Sequence, residues 1–329
     1  MKSNNKIALA VHGGAGTILR SEMTAELEKE YRAGLENALR IGLKILRQNG
    51  SALDAVERAV VELENFPLFN AGRGSVFTHE GKNEMDAAIM DGKRFKAGAV
   101  AFLKNVKNPI KLARLVMERT EHILLAGNGA NEFAREMNVE FETDAYFFTD
   151  FRYEQLKKAR AAGVVQLDHT AEEPELVEKS ETENKSPIRN PKSAIGTVGA
   201  AACDVFGNLA AATSTGGMTN KKFGRIGDTP IIGAGTYAEN GTCAISCTGH
   251  GEYFMLGVTA FDVAARMKYK NLNLEDAARE TVERLSEIGG EGGFIAVDAF
   301  GNVALPFNCE GMYRGFVKEN GETVVEIYR

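Results

Sequence analysis

Apolar residues along this chain alternate between two periods, and the switches between them outline the fold. Ile7 to Val11 is an apolar run of strand length that ends in His12-Gly13-Gly14-Ala15-Gly16, which reads as a tight turn packed on a neighbouring strand. From Ser21 to Asn49, Leu27, Tyr31, Leu35, Ala38, Gly42 and Leu46 recur at three- and four-residue steps, as one face of a long helix does. Gly50 suits its C-terminal cap. Ser51-Ala52-Leu53-Asp54 then has the form of a capping box, opening a second helix to about Asn65 that Pro67 helps to end. After the Gly-punctuated loop Leu68–Ser75, the segments Val76–Thr78 and Glu84–Met90 read as a hairpin around His79–Asn83, with Ala97–Leu103 as a third strand. Asn108-Pro109 opens another helix, with Asn as its cap. A short strand at His122–Leu125 and helices over Asn128–Met137 and Asp150–Ala162 follow.

From about Val165 to Ala194 the pattern lapses. Glu172-Glu173-Pro174-Glu175, Glu178–Glu181 and Asn184–Pro187 are polar and Pro-punctuated, too poor in apolar surface to offset the entropy of ordering. The segment up to Gly196 therefore reads as a flexible linker. Period-two segments return in Thr197–Cys203 and Leu209–Thr215, around the turn chemistry of Gly207-Asn208. A hairpin symmetric about Phe206 sets Thr197 opposite Thr215. Ile231–Tyr237 and Thr242–Cys247 flank Asn240-Gly241, a strong hairpin signal. Helices over Glu252–Met267 and Leu274–Ile288 precede a third hairpin, Phe294–Val297 with Val303–Pro306. Strands at Met312–Val317 and Thr323–Tyr328 close the chain. Helices dominate the first half and hairpins the second, which excludes regular βαβ alternation. The reading is an α+β protein with antiparallel sheets covered by helices.

Composition narrows the function classes. At 329 residues, 44% hydrophobic and 26% charged, the chain is an ordinary globular sequence with room for a large core. Its net charge of −6 offers no basic patch for nucleic acid. No apolar run reaches membrane-spanning length, and the N-terminal apolar run is too short for a signal-peptide core, so a cytoplasmic protein is expected. Cys203, Cys243, Cys247 and Cys309 sit in apolar contexts and read as buried thiols rather than disulfides or zinc ligands. The Gly-rich loop after the first strand lacks the spacing of a nucleotide-binding motif, and no organic cofactor is expected.

The candidate chemistry lies where linker meets strand, at Gly196-Thr197. A cut there would leave a threonine with a free amine on a rigid strand. An α-amine has a reference pKa near about 8, so much of it is neutral at physiological pH and able to take the hydroxyl proton; before the cut that nitrogen is an amide and cannot. A lone threonine at a strand start is ordinarily structural. Here the linker, the Gly-Thr step, the opposed Thr215 and the glycine turns at strand ends occur together.

Seven stretches, taken in order, resemble the plant-type asparaginases, also called isoaspartyl aminopeptidases or β-aspartyl peptidases, which are self-cleaving N-terminal-nucleophile hydrolases. They are His12–Gly16, Phe69–Ser75, Met85–Gly92, Gly196–Ala200, Thr213–Gly217, Arg225–Asp228 and Thr248–Gly251. The resemblance implies a four-layer αββα sandwich. It implies cleavage between Gly196 and Thr197 into segments 1–196 (with 165–196 as linker) and 197–329, which together form one structural domain. It also implies Thr197 as nucleophile, Thr215 as its hydrogen-bond partner, and Thr248 with the Gly249 amide as oxyanion donors. Arg225 would hold a substrate α-carboxylate, Asp228 the α-ammonium, and Asn70 would support the nucleophile. The loop Leu63–Arg73 resembles a sodium-binding loop whose ligands would be the backbone carbonyls of Leu63, Glu64, Phe66, Phe69, Ala71 and Arg73, oxygen donors that suit a hard cation. A homodimer of cleaved protomers is implied too. The expected substrates are β-aspartyl dipeptides and L-asparagine. The alternatives are a glycosylasparaginase and a non-catalytic amino-acid-binding domain.

Overall fold

The computed structural model describes residues 7–165 and 196–329; Met1–Lys6 and residues 166–195, most of the expected linker, lie outside the described residues. The first strand, β1 (Ala8–Gly16), runs straight through the His-Gly-Gly segment that the sequence presents as a turn. The glycines are absorbed by an irregularity in its pairing between His12 and Gly14. Helix α1 (Ala25–Arg47) follows, with the Thr24 hydroxyl accepting from the Leu27 amide, and it buries the expected stripe from Tyr31 to Leu46. In α2 (Ala52–Asn65) the Ser51 hydroxyl accepts from the Asp54 amide, as the capping box predicts.

The expected hairpin at Val76–Thr78 is only an isolated bridge between Phe77 and Asn83. The hairpin in this region joins β2 (Met85–Asp91) to β3 (Lys96–Leu103) instead. Helix α3 (Pro109–Arg119) starts where expected, but Asn108 does not cap it. The Asn108 amide donates to Glu64 and Asn65, and the Glu64 carboxylate takes the Ile110 amide at the helix start. A short β4 (Leu124–Ala126), α4 (Gly127–Glu136), α5 (Asp144–Phe147) and α6 (Asp150–Ala161) complete the first half; α5 had no signal in the pattern.

Beyond the linker, β5 (Val198–Cys203) and β6 (Leu209–Thr215) pair with Val198 opposite Ser214, the register that symmetry about Phe206 predicts. The next strand, β7 (Thr236–Ala238), is shorter than expected, because residues 231–235 are turns that accept amide protons from Ala260 and Phe261. It pairs with β8 (Cys243–Gly249). The expected helix Glu252–Met267 is two: α7 (Gly251–Gly257) and α8 (Thr259–Lys270), broken at Val258, which adopts a left-handed conformation. Helix α9 (Leu274–Glu287), the hairpin β9 (Gly292–Asp298) and β10 (Val303–Ala304), then β11 (Gly311–Lys318) and β12 (Thr323–Tyr328) finish the chain.

The strands form two sheets. One has eight strands in the order β12-β11-β1-β5-β6-β2-β3-β4, the other four in the order β10-β9-β8-β7. Alternation along the central strands sets the layers. Leu9, Val11, Ala200, Ala202, Ala210 and Ala212 face a core shared with α1, α2 and α3. Ala8, Ala10, Ala201, Cys203, Leu209 and Ala211 face the second sheet, whose far side packs on α8 and α9. The strand faces that meet the other sheet are mostly alanine, which lets the two sheets approach closely. The result is the helix–sheet–sheet–helix sandwich of an α+β protein. Strands β5 and β6 from beyond the linker lie between β1 and β2 from before it, so one hydrogen-bonded sheet interleaves both halves. Among the described residues no helix is long and apolar enough to cross a membrane.

Candidate active site

By the same alternation, Thr197, Thr213 and Thr215 point between the sheets, while Ser214 points back to α2, where its hydroxyl donates to Glu64 at 2.7 Å. Thr197 and Thr215 are buried at the open end of the β5–β6 hairpin. The Thr197 hydroxyl donates to Thr215 Oγ1 at 3.1 Å. Thr215 donates in turn to the Gly196 carbonyl at 3.3 Å and accepts the Gly217 amide at 3.0 Å. One hydroxyl thus touches both the candidate nucleophile and the carbonyl of the expected scissile bond. The two bonds that a hydroxyl donates are long for O–H···O contacts, as nucleophile contacts often are without substrate.

Asn70 does not reach Thr197. Its amide donates to the Gly217 carbonyl at 2.7 Å, its side-chain oxygen accepts the Val76 amide at 3.0 Å, and its backbone carbonyl accepts the Gly216 amide. It therefore fixes the Gly216-Gly217 turn whose amide holds Thr215. The loop that carries Asn70 is itself pinned from α6: the fully buried Arg152 donates to the Leu68 and Gly74 carbonyls, each at 2.9 Å.

Arg225 and Asp228 both lie against Gly251, just past the end of β8. A Cβ there would come 2.8 Å from Asp228 Oδ1 and 2.9 Å from Arg225 Nη2. They do not pair with each other. The Arg225 guanidinium makes a two-pronged bond to Glu252, with both contacts at 2.9 Å. Asp228 Oδ2 and Thr248 Oγ1 are buried with no hydrogen-bond partner. Buried polar atoms are normally satisfied, so these two mark where groups of a ligand would sit. Burial lifts the Asp228 carboxyl to about 7, against the pull of Arg225. Burial also lowers His250, which stands 3.4 Å from Glu252.

Glu64 lies on the far side of the central sheet. Its fully buried carboxyl is raised to about 7 by desolvation, opposed by bonds from Ser214, Ile110 and Asn108. Sequence reasoning marked only its backbone. It also passed over His12, fully buried, whose ring nitrogens meet the Thr197 carbonyl at 3.0 Å and Ser246 Oγ at 2.8 Å. The one available signal was the His12-Gly13-Gly14 motif, where the glycines drew the attention.

The expected sodium loop runs from the last turn of α2 into a tight turn at Gly72–Gly74. A side chain at Gly72 would overlap the Glu64 carbonyl oxygen, and one at Gly74 the Phe69 carbonyl oxygen. The Leu63, Phe66, Phe69 and Ala71 carbonyls each accept one loop amide, leaving each a second lone pair. Neutral oxygens crowded around glycines fit a hard monovalent cation.

Comparison with known proteins assigns the family. The asparaginase family model, Asparaginase_2, matches residues 5–327. The chain belongs to this family. It is 49% identical to the isoaspartyl peptidase of Salmonella typhimurium over 99% of both chains. It is 47% identical to that of Escherichia coli over 97% of this chain and 98% of the other. A plant-type L-asparaginase of Pyrococcus abyssi is 42% identical over 95% of this chain and 97% of its own. Family membership agrees with the resemblance drawn from the seven motifs and with the αββα layering.

Proposed function

We propose that this protein is an isoaspartyl peptidase with L-asparaginase activity, matured by cleavage between Gly196 and Thr197. The observation that carries the reading is the Thr215 hydroxyl, which contacts both Thr197 Oγ1 and the Gly196 carbonyl oxygen. In the uncut chain, Thr215 polarises that carbonyl for attack by the Thr197 hydroxyl. The acyl group moves from nitrogen to oxygen, and water then hydrolyses the ester. The products are segments 1–196 and 197–329, held together because the central sheet is built from both.

In the cleaved enzyme, the Thr197 amine takes the hydroxyl proton and Oγ1 attacks the side-chain carbonyl of the aspartyl group. Thr248 Oγ1 and the Gly249 amide stabilise the resulting oxyanion. The amine returns its proton to the leaving nitrogen, releasing ammonia from asparagine or an amino acid from a β-aspartyl dipeptide. Water then attacks the acyl ester, and aspartate leaves. Arg225 holds the α-carboxylate, in exchange for part of its bond to Glu252, and Asp228 holds the α-ammonium. A sodium ion on the carbonyls of Leu63, Glu64, Phe66, Phe69, Ala71 and Arg73 would stiffen the loop that presents Asn70 and take no part in bond breaking. A cytoplasmic homodimer of cleaved protomers belongs to the same reading, the location because four buried, unbridged thiols suit a reducing compartment.

Denaturing mass spectrometry of the purified protein tests this, together with release of ammonia from asparagine and of amino acids from β-aspartyl dipeptides. Thr197→Ala should stay uncut and inactive. An intact chain that turns over β-aspartyl dipeptides at full rate would remove the role of the freed amine. Selective release of sugar from glycosylasparagine would favour a glycosylasparaginase.

A further inference from the structure

Between the two sheets, and unused by the mechanism above, runs a line of buried polar side chains that ends on the nucleophile residue. His12 Nδ1 lies 3.0 Å from the Thr197 carbonyl oxygen, and His12 Nε2 lies 2.8 Å from Ser246 Oγ. Ser246 Oγ is 2.7 Å from Thr213 Oγ1, which is 2.6 Å from Thr236 Oγ1. All four side chains are fully buried.

We infer that His12 is a positioning residue for Thr197, held as the Nδ1–H tautomer by a one-way hydroxyl relay from Thr236 through Thr213 and Ser246; the inference rests on Thr197 being the nucleophile. The direction follows from counting protons. A carbonyl oxygen can only accept, so the nitrogen facing Thr197 must carry the hydrogen. A neutral ring then leaves Nε2 bare, and it must accept from Ser246. Ser246 has spent its single proton and must accept from Thr213, which accepts from Thr236; the competing carbonyls, Gly235 at 3.4 Å from Thr213 and Thr229 at 3.2 Å from Thr236, lie farther than the hydroxyls at 2.7 and 2.6 Å. Reversing any link would set a lone pair against a lone pair or demand a charged ring in a buried site. Desolvation opposes that charge, holding the ring at about 3. Bonds aligned in one direction polarise one another, so the relay strengthens the final bond to Thr197.

The position needs such a bond. The ladder between β1 and β5 ends at the pair His12–Gly199, and β1 departs from regular pairing after His12. The Thr197 carbonyl thus lies past the last rung of the ladder, and the His12 side chain takes it instead. After cleavage Thr197 would be a chain terminus, and termini fray unless tied down. Gly199 fits the same account, because a Cβ there would overlap Ser246 Oγ and crowd His12 Nε2. The glycine of the Gly-Thr-Val-Gly stretch leaves room for the relay.

Two measurements test this on the full-length protein. In ¹⁵N spectra of the wild type, His12 should show a protonated Nδ1 and a bare Nε2, unchanged from about pH 5 to about pH 9. An Nε2–H tautomer, or titration within that range, would overturn the inference without touching the proposed function. In kinetics on a β-aspartyl dipeptide, Ser246→Ala should lower kcat on the order of tenfold and leave KM within about twofold, since one hydrogen-bond link is lost and the substrate clamp is not. Thr213→Val should lose roughly threefold and Thr236→Val less, a graded order along the relay that melting temperatures need not follow. Equal effects at all three sites, or kcat losses that track stability alone, would make the chain merely structural. If Ser246→Ala does not fold, the ordering of the two valine variants and the wild-type spectra decide. A wild type inactive on every aspartyl substrate would sink the functional reading and leave the tautomer result standing.

Discussion

Lowering the pH should weaken substrate binding through Asp228 before it unfolds anything. Asp228 is 5% exposed, and its Oδ2 atom has no partner. Burial raises its carboxyl from 3.8 to about 7; Arg225 opposes this, while Glu252 and Asp86 push with it. The displacement corresponds to roughly 4 kcal/mol of disfavoured charge in the empty site. A substrate α-ammonium needs the charged form, so below about pH 7 it competes with a proton, and apparent affinity should fall about tenfold for each further unit of pH. KM for a β-aspartyl dipeptide should therefore rise on the order of a hundredfold between pH 7 and pH 5, where the substrate's own charges are constant. The assay is steady-state kinetics at a series of pH values with kcat and KM separated. In the proposed cleaved form, protonation of the Thr197 amine would depress kcat over part of the same range, whereas the Asp228 effect sits in KM. Calorimetry in buffers of different ionisation enthalpy should show proton release on binding below pH 7. Asp228→Asn should bind weakly at every pH and lose the dependence. A wild-type KM that is flat from about pH 5 to about pH 8 would refute both the raised carboxyl and its contact with the ammonium.

Three further substitutions probe the frame around the site. Thr215→Val keeps the shape but removes the hydroxyl shared by Thr197 and Gly196, and should slow both maturation and turnover on the order of a hundredfold, read by mass spectrometry over time and by kcat. Arg152→Met strands the Gly74 carbonyl and leaves the Leu68 carbonyl only a long bond from the Tyr31 hydroxyl at 3.5 Å, and should cost roughly 1–3 kcal/mol, read as a lower Tm. Val258→Gly should stabilise by about 0.5–1 kcal/mol and raise Tm by a degree or more, because Val258 is a β-branched residue at φ 47° that gives up little packing when removed.

What the sequence revealed and what it hid divide along one physical line. Features set by neighbours in the chain were legible. The Thr24 and Ser51 caps, the stripe from Tyr31 to Leu46 and the β5–β6 register each depend on residues a few positions apart. The register alone placed Thr197 beside Thr215. Features set across the fold were not legible. Asn108 looks like a cap by its position before Pro109, yet it gives its amide to Glu64 and Asn65, 44 and 43 residues earlier in the chain. The break at Val258 has no glycine or proline at the break itself; α8 starts afresh there because its first amides bond the turns at 233 and 234. The clamp of Arg225 and Asp228 rests on resemblance, and the sequence carries no sign that Arg225 is engaged with Glu252, a residue visible there only as the opening of a helix.

The two sheets would let one threonine serve in the proposed maturation and the proposed turnover without rebuilding its surroundings. Strand β5 is bonded to β1 on one side and β6 on the other, so residues from Val198 onward are fixed by the central ladder whether or not the chain is cut. In the proposed cleavage, the one bond broken lies before this ladder begins. Thr215, Gly217 and Asn70 are braced by one another and by the loop that Arg152 pins, and of these contacts only the proton that Thr215 gives the Gly196 carbonyl depends on the uncut chain. The proposed cleavage would therefore turn one nitrogen from amide to base and free the Thr215 hydroxyl from the Gly196 carbonyl, inside a site otherwise already set in place. That is the preorganisation an acyl-transfer site requires, since donors already in place need no rearrangement when charge develops on the substrate oxygen.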